Sequence, residues 1–144
     1  MKRTLVVILS VLCLSSVVRA RVGETQAEIA ARYGDGQKSD STRFPSTEQT
    51  NYNKDGFFFE VMIADGKCVM EVIHRNEKTI TDDDIKDLLK ANGDGHGWGF
   101  DKRANEWIRS DHKVKLFRQP GHPDYVFIQD IAVLRELDKK PKSF

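Results

Sequence analysis

Apolar residues recur with a period of two through the middle of the chain, and this pattern predicts a β-hairpin. Its two limbs, Phe57 to Ala64 and Lys67 to Arg75, are rich in β-branched and aromatic residues. They flank Asp65-Gly66, a pair that is typical of two-residue type I′ turns. The hairpin is therefore the first element that the sequence predicts.

The turn also predicts which residues face each other. With Ala64 opposite Lys67, alternate residues of both limbs collect on one apolar face, which we expect to lie against the core. The predicted pairs on that face are Ile63 with Cys68, Val61 with Met70, Phe59 with Val72 and Phe57 with His74. Cys68 is accordingly expected to be a buried small hydrophobe rather than a nucleophile.

The opposite face of the hairpin is also partly apolar. Either a helix or loop covers it, or it is an exposed patch that binds a partner. The predicted register places two carboxylates, Glu60 and Glu71, directly opposite each other, which suits an acid–base or cation-binding pair, although two solvated side chains are the simpler interpretation. The candidate binding residues on this face are Phe58, Glu60, Met62, Val69, Glu71 and Ile73.

Two helices are marked by their first turns. Thr25 and Glu28 have the spacing of a capping box, and Gly34 is a suitable helix end. Thr81 is the predicted N-cap of the second helix, which ends at Asn92-Gly93. The three aspartates at positions 82 to 84 suit the positive end of the helix dipole, which explains them more simply than a metal site does.

The remaining segments complete an α+β domain at residues 21–138. Residues 35–56 are predicted to form a long polar loop with room for a short strand at 51–53. A second hairpin turns at Asp111-His112, and another strand covers 124–130. Residues 131–144 either extend that strand or form a short amphipathic helix, and 139–144 are expected to fray. Two helices then pack on an antiparallel sheet in the order α-β-β(-β)-α-β-β-β, as two halves that share a core.

The amino-terminal residues indicate export. Lys2 and Arg3 precede an apolar run from Leu5 to Val18, which ends in the small-x-small pattern Val18-Arg19-Ala20. This layout is typical of a signal peptide at residues 1–20, and the run is short for a membrane span. We therefore expect a secreted or periplasmic protein that starts at Arg21 and has no membrane insertion after signal removal.

Charge and cysteine content narrow the functional classes. Without the signal the chain has 20 basic and 22 acidic residues, with no basic stripe for nucleic acid. Cys13 follows Leu12, which is too large for a lipoprotein cleavage site. Cys68 is then the one remaining cysteine, so an intramolecular disulfide is excluded.

No assembled catalytic set is recognisable in the sequence. The glycine-rich segment 92–101 contains Asp94, His96 and Asp101, but the calcium-loop pattern fails because its twelfth position is Arg103. His112 beside Asp111 suits a general base, and equally a turn. The histidines lack metal-ligand spacing, and no Gly-x-Ser-x-Gly occurs. We expect no metal, no cofactor and no catalytic residue, with Trp98 and Phe100 filling the edge of the core.

Several motifs together resemble small, largely uncharacterised secreted bacterial proteins, over most of residues 23–118. They are the Gly23-x-Thr25 helix start with Tyr33-Gly34, Asp65-Gly66-Lys67, Ile80-Thr81, the run from Leu88 to Asn92, Trp98, and Trp107-x-Arg109-Ser110-Asp111. More distantly, a Gly-x-Thr helix followed by strands resembles outer-membrane assembly lipoproteins of the SmpA/OmlA type and β-lactamase-inhibitor-like proteins. Both groups are binding proteins, so the resemblance implies an interaction role.

The sequence therefore favours a small, non-catalytic binding module whose partner is another envelope or secreted protein. The alternative is a small metal- or carboxylate-dependent extracytoplasmic hydrolase. That enzyme would use Glu60 with Glu71, or else Asp94, His96 and Asp101. The oligomeric state stays open.

Overall fold

A computed structural model describes residues 21–42, 44, 46–76 and 78–139 of the chain. The expected signal peptide and residues 140–144 of the expected tail lie outside this range. The elements are α1 (Gln26–Tyr33), β1 (Gln37–Lys38), β2 (Glu48–Lys54), β3 (Phe57–Ala64), β4 (Lys67–Arg75), α2 (Asp82–Ala91), β5 (Trp98–Asp101), β6 (Glu106–Arg109), β7 (Val114–Gln119), β8 (His122–Asp130) and α3 (Ile131–Lys139). The α+β class is confirmed.

The strands form one antiparallel sheet in the order β1-β2-β3-β4-β8-β7-β6-β5. Each half is a helix followed by a four-stranded meander, and the halves join in the middle, where β4 pairs with β8. Strand β5 forms one edge of the sheet and the two-residue strand β1 forms the other. The element order thus repeats along the chain, with α3 added at the end.

Both predicted helix starts are confirmed in atomic detail. The Thr25 and Glu28 side chains satisfy each other's backbone amides, with Thr25 N donating to Glu28 Oε2 at 2.8 Å. Thr81 and Asp84 form the same arrangement at the start of α2, with Thr81 N donating to Asp84 Oδ2 at 2.8 Å. Because both caps are local, short sequence motifs were enough to predict them.

The sheet is covered on both faces. On one face, side chains of α1 and α2 pack against alternate residues of the strands to form the main core, which includes Ile29, Tyr33, Ile85, Leu88, Phe57, Phe59, Val61, Ile73, Leu116 and Ile128. On the other face α3 contributes Leu134 and Leu137 to a second core with Met62, Ala64, Val69, Met70, Val72 and Phe127. The predicted count of two helices was too low because the α3 segment also fitted a strand pattern.

A β-bulge corrects the predicted register of the β3–β4 hairpin. The pairs next to the turn are as predicted, with Ile63 opposite Cys68. Met62 then lies opposite Met70, so Val69 is the extra residue and every later pair is shifted by one. Val61 and Met70 are both buried, as expected, but they belong to the main core and the second core respectively.

Three segments contain more structure than the sequence predicted. Residues 35–56 include β1 and all of β2. Strand β2 pairs with β1 on one side and with β3 on the other, but its polar residues do not have the apolar alternation that predicts a strand. The glycine-rich link contains β5. Lys139, expected to begin the frayed tail, is the last residue of α3, where its Nζ lies 2.7 Å from Glu136 Oε1.

Candidate functional site

The six residues predicted as a binding face do not form one surface. Because of the bulge, two of the six side chains point into the main core. Two more are covered by α3, and the last two are half-buried. The main-core residues are Glu71 and Ile73, the covered residues are Met62 and Val69, and the half-buried pair is Phe58 and Glu60. Of the predicted patch, only Phe58 and Glu60 therefore remain partly accessible.

The proposed carboxylate pair is not formed. Glu60 lies opposite Val72 and Glu71 lies opposite Val61, which places the two carboxylates on opposite faces of the sheet. Gln49 Nε2 donates to Glu60 Oε2 at 3.5 Å. Glu71 has no exposed surface. The hydrolase alternative thus loses the first of its two candidate residue sets.

Phe58 belongs to a row of rings that crosses three strands. Its ring centroid lies 4.7 Å from that of His74, which lies 4.9 Å from that of Tyr125. A cavity of about 240 Å³ opens beside His74 and Tyr125. All three rings are half-buried, because they stack on one another.

Cys68 is a buried thiol, as the sequence predicted. It is 1% exposed and lies in the main core. Burial raises the pKa of the Cys68 thiol well above its ordinary value, and the negative charge of Glu71 raises it further. Such a thiol is a poor nucleophile because the thiolate is the reactive form.

The surface that stands out lies at the β5 edge of the sheet. Here Trp98 and Phe100 alternate with Gly97 and Gly99, and the period of two matches a strand even though glycines interrupt it. An open cavity of about 550 Å³ runs along this strand. Its walls are formed by residues 97–101 and 108–110 together with His112.

The two aromatic side chains of β5 have different surroundings. Trp98 Nε1 donates to Leu89 O at 2.8 Å, and its ring packs against the main core, as expected. Phe100 contacts the Trp107 ring at a centroid distance of 4.8 Å but is 46% exposed. It is the one large hydrophobic side chain classed as exposed among the described residues, so the prediction that it fills the core edge was wrong.

A buried ion pair supports the floor of this cavity. Arg109, 8% exposed, donates from Nε and Nη2 to the two carboxylate oxygens of Asp111 at 2.9 and 2.8 Å. Its Nη1 donates to Asn92 O at the end of α2, at 3.1 Å. The hydrogen bonds from Arg109 hold the pKa of the Asp111 carboxyl well below its ordinary range, and the Lys113 amide adds to this effect.

The histidine at ion-pair distance from Asp111 is not the one that the sequence suggested. His96 Nε2 lies 3.7 Å from Asp111 Oδ2, whereas His112 occupies the turn itself with φ of 58°. Asp111 is engaged by Arg109 on both oxygens, so it serves the ion pair rather than a general base. Asp101 Oδ1 accepts from the amides of Arg103 and Ala104 and shapes the β5–β6 turn.

Two further features are absent from residues 21–42, 44, 46–76 and 78–139. No three His, Cys, Asp or Glu side chains converge in a way that would hold a metal ion. None of the helices found there is both long and apolar enough to cross a membrane.

The sequence did contain a signal for the β5 site. Alternation of Trp98 and Phe100 with glycines indicates a strand, and the missing side chains at Gly97 and Gly99 leave its backbone accessible. What the sequence could not show is that this strand ends the sheet. Comparison of the chain with protein-family models, with curated proteins and with solved structures finds no match.

Proposed function

We propose that this protein is a small secreted or periplasmic, non-catalytic binding module that takes up an extended segment of another polypeptide along strand β5. One observation carries the proposal: Phe100 presents an exposed ring on the terminal strand of the sheet, beside an open cavity of about 550 Å³. Contiguous exposed apolar surface marks interaction sites and ligand-binding grooves.

The backbone of β5 suits the addition of a ninth strand. Within the described sheet β5 pairs with β6 alone, so its other side faces outward. Proteins usually protect such edges with charged side chains, above all lysine, with proline or with a bulge. Residues 98–101 have no lysine, proline or bulge, and their one charged side chain is Asp101 at the end of the strand. The opposite edge, β1, is only two residues long and ends in Lys38. An incoming strand would gain main-chain hydrogen bonds at β5.

The side chains around β5 indicate what the incoming segment should contain. Phe100 offers an apolar anchor, and a side chain added at Gly97 would meet nothing within 4 Å, so the approach is open. The turn that follows presents Lys102 and Arg103, both exposed. We therefore infer a segment with apolar side chains at alternate positions and with acidic residues at the end that lies beside Lys102 and Arg103. This inference agrees with the interaction role that the family resemblance implies.

A display library of extended 10-residue peptides tests the proposal. Selected peptides are titrated by calorimetry into the wild type and into Phe100→Asp. Their contacts are mapped by amide hydrogen exchange. We expect protection of residues 98–101 on binding and about tenfold or greater weakening in Phe100→Asp, because a phenylalanine ring buried on binding contributes about 1.5–3 kcal/mol.

Phe58→Ala is the matched control, since it removes a half-buried phenylalanine from the other face of the sheet. It should leave peptide affinity unchanged. Peptides that protect β3, β4 and β8 and depend on Phe58 instead would overturn the β5 site in favour of the Phe58, His74 and Tyr125 rings. If no peptide depends on either ring, the binding-module proposal itself fails.

A further inference from the structure

The first three described residues are each bound to the fold through their backbone. Arg21 N donates to the carboxylate of Glu24 at 3.2 Å. Val22 N donates to Asn92 Oδ1 at 3.3 Å, and Gly23 N donates to Cys68 O at 2.8 Å. The Val22 side chain also packs against the main core. Arg21, at which the mature chain is expected to begin, is therefore one of the residues bound to the fold.

Residues 21–24 form a turn that brings Glu24 to the nitrogen of Arg21. Glu24 N donates to Arg21 O at 3.1 Å, and Gly23 has φ of 96°, the positive value that the third position of a type II turn requires. Glu24 Oε1 forms an ion pair with Arg32, which leaves Oε2 directed at Arg21 N. The Glu24 side chain is only 14% exposed, so its position is fixed by packing as well as by charge.

We propose that Glu24 is the built-in receptor for the amino terminus that export creates. A membrane-bound signal peptidase would add water across the Ala20–Arg21 amide, so that Ala20 leaves with a carboxylate and Arg21 keeps an amine that takes up a proton. The resulting ammonium has a full positive charge and three donors in place of one amide N–H. Its hydrogen bond to the Glu24 carboxylate then gains a charged donor as well as a charged acceptor, becomes an ion pair and is stronger.

Two independent observations meet at Arg21. The small-x-small pattern places cleavage after Ala20 from sequence alone, and the Glu24 contact is made by the atom that this cleavage would convert into the ammonium. The surroundings also favour a cation. A cavity of about 250 Å³ at this point is lined by the carboxylates of Glu24, Glu28 and Asp94, and its one guanidinium besides that of Arg21 belongs to Arg109.

Arg109 is balanced by its ion pair with Asp111, and Glu24 by its ion pair with Arg32. Glu28 and Asp94 then face the single charge of Arg21, so the cavity keeps a modest acidic character. This inference depends on the proposed export but is independent of the β5 binding site. It assigns to cleavage a structural effect: processing would convert the hydrogen bond from the Arg21 amide to Glu24 into an ion pair, which links the start of the chain through Glu24 and Arg32 to α1.

The experiment exports the full chain in a secreting bacterial host and purifies the processed protein. Intact mass and amino-terminal sequencing should identify Arg21 as the first residue. A limiting amount of an acylating ester is then added at neutral pH, and the rate of α-amine modification is measured by peptide mapping. An ammonium held by Glu24 reacts slowly, so we expect acylation of the wild type to be about three- to tenfold slower than that of Glu24→Gln.

Glu48→Gln is the matched control, because it neutralises an exposed glutamate that pairs with Lys38 on β1; it should react like the wild type. Insertion of Gly-Ser between Ala20 and Arg21 keeps Glu24 but moves the amine away, and should react as fast as Glu24→Gln. Equal rates in all four proteins, with the wild type starting at Arg21 and the insertion variant at its inserted Gly, would overturn the receptor and leave export intact. Processing elsewhere, or none, would overturn both.

Discussion

Arg109, the last residue of β6, and Asp111, two residues later in the β6–β7 turn, are joined by a bidentate hydrogen-bonded ion pair. Since Arg109 also donates to the carbonyl of Asn92, the pair connects this turn to the end of α2. Both side chains are largely buried, at 10% and 13% exposed. The β5 strand pairs directly with β6, so this connection positions the edge at which we place the binding site.

We expect Asp111→Asn to destabilise the protein by about 1–3 kcal/mol at neutral pH, because it leaves a largely buried guanidinium with a weaker partner. Urea unfolding followed by circular dichroism measures this difference. Asp138→Asn, an exposed aspartate on α3, should change the free energy of unfolding by no more than about 0.5 kcal/mol. Equal effects of the two substitutions would show that the ion pair contributes nothing.

The same pair predicts how stability depends on pH. The folded-state pKa of Asp111 lies below the value of about 3.9 for an aspartate in an unfolded chain. The contribution of the ionised Asp111 carboxylate to the free energy of unfolding is therefore complete above about pH 5. It is lost as the pH falls towards the lowered pKa. The amide side chain of the Asp111→Asn variant does not titrate. We expect the stability difference between the wild type and this variant to narrow steadily from pH 5 to pH 2, and a constant difference would contradict this.

The cap of α2 gives a prediction with an adjacent control. Thr81 Oγ1 accepts from Asp84 N and donates to Asp84 Oδ2 at 2.7 Å. Thr81→Ala should lower the free energy of unfolding by about 1 kcal/mol. Thr79→Ala removes the same groups from an exposed position two residues earlier, outside the capping box, and should have little effect. Thermal unfolding distinguishes the two variants.

The burial of Cys68 leads to a prediction about the reactivity of its thiol. Because the thiol is buried and its pKa is raised, a disulfide reagent at pH 8 should not label the native protein on the timescale of minutes. Labelling should be complete in 6 M guanidinium. Rapid labelling of the native protein would mean that β4 opens readily. It would not fit a residue that donates its backbone amide to Glu24 O at 2.7 Å.

Local signals were enough to predict the turn and the caps, but not the elements whose identity depends on neighbours. The Asp65-Gly66 turn and both capping boxes are fixed by residues within four positions of each other. Strand β2 forms despite its polar residues because its whole length pairs with β3. Helix α3 forms because its leucines cover the second core. Neither reason is visible in the segment itself.

The candidate site shows the same limit. Phe100 was expected to be buried because aromatic residues usually are, and only the position of β5 at the end of the sheet leaves its ring exposed. The predicted face on β3 and β4 failed for a different reason. One extra residue, Val69, moves Glu71 from one side of the sheet to the other, and a period-two pattern contains no sign of such a bulge.

The bulge itself can be tested through the two glutamates that it separates. With the predicted register, Glu60 and Glu71 share one face, and alanine at either position would have a similar, mild effect. In the structure Glu60 is half-buried, whereas Glu71 has no exposed surface and lies on the main-core face of the sheet, opposite Val61. We expect Glu71→Ala to lower the free energy of unfolding by about 2–4 kcal/mol, because it opens a cavity and removes the contacts of a buried carboxyl. Glu60→Ala should lower the free energy of unfolding by less than about 1 kcal/mol. If urea unfolding shows similar losses of stability in the two variants, the register without the bulge is favoured.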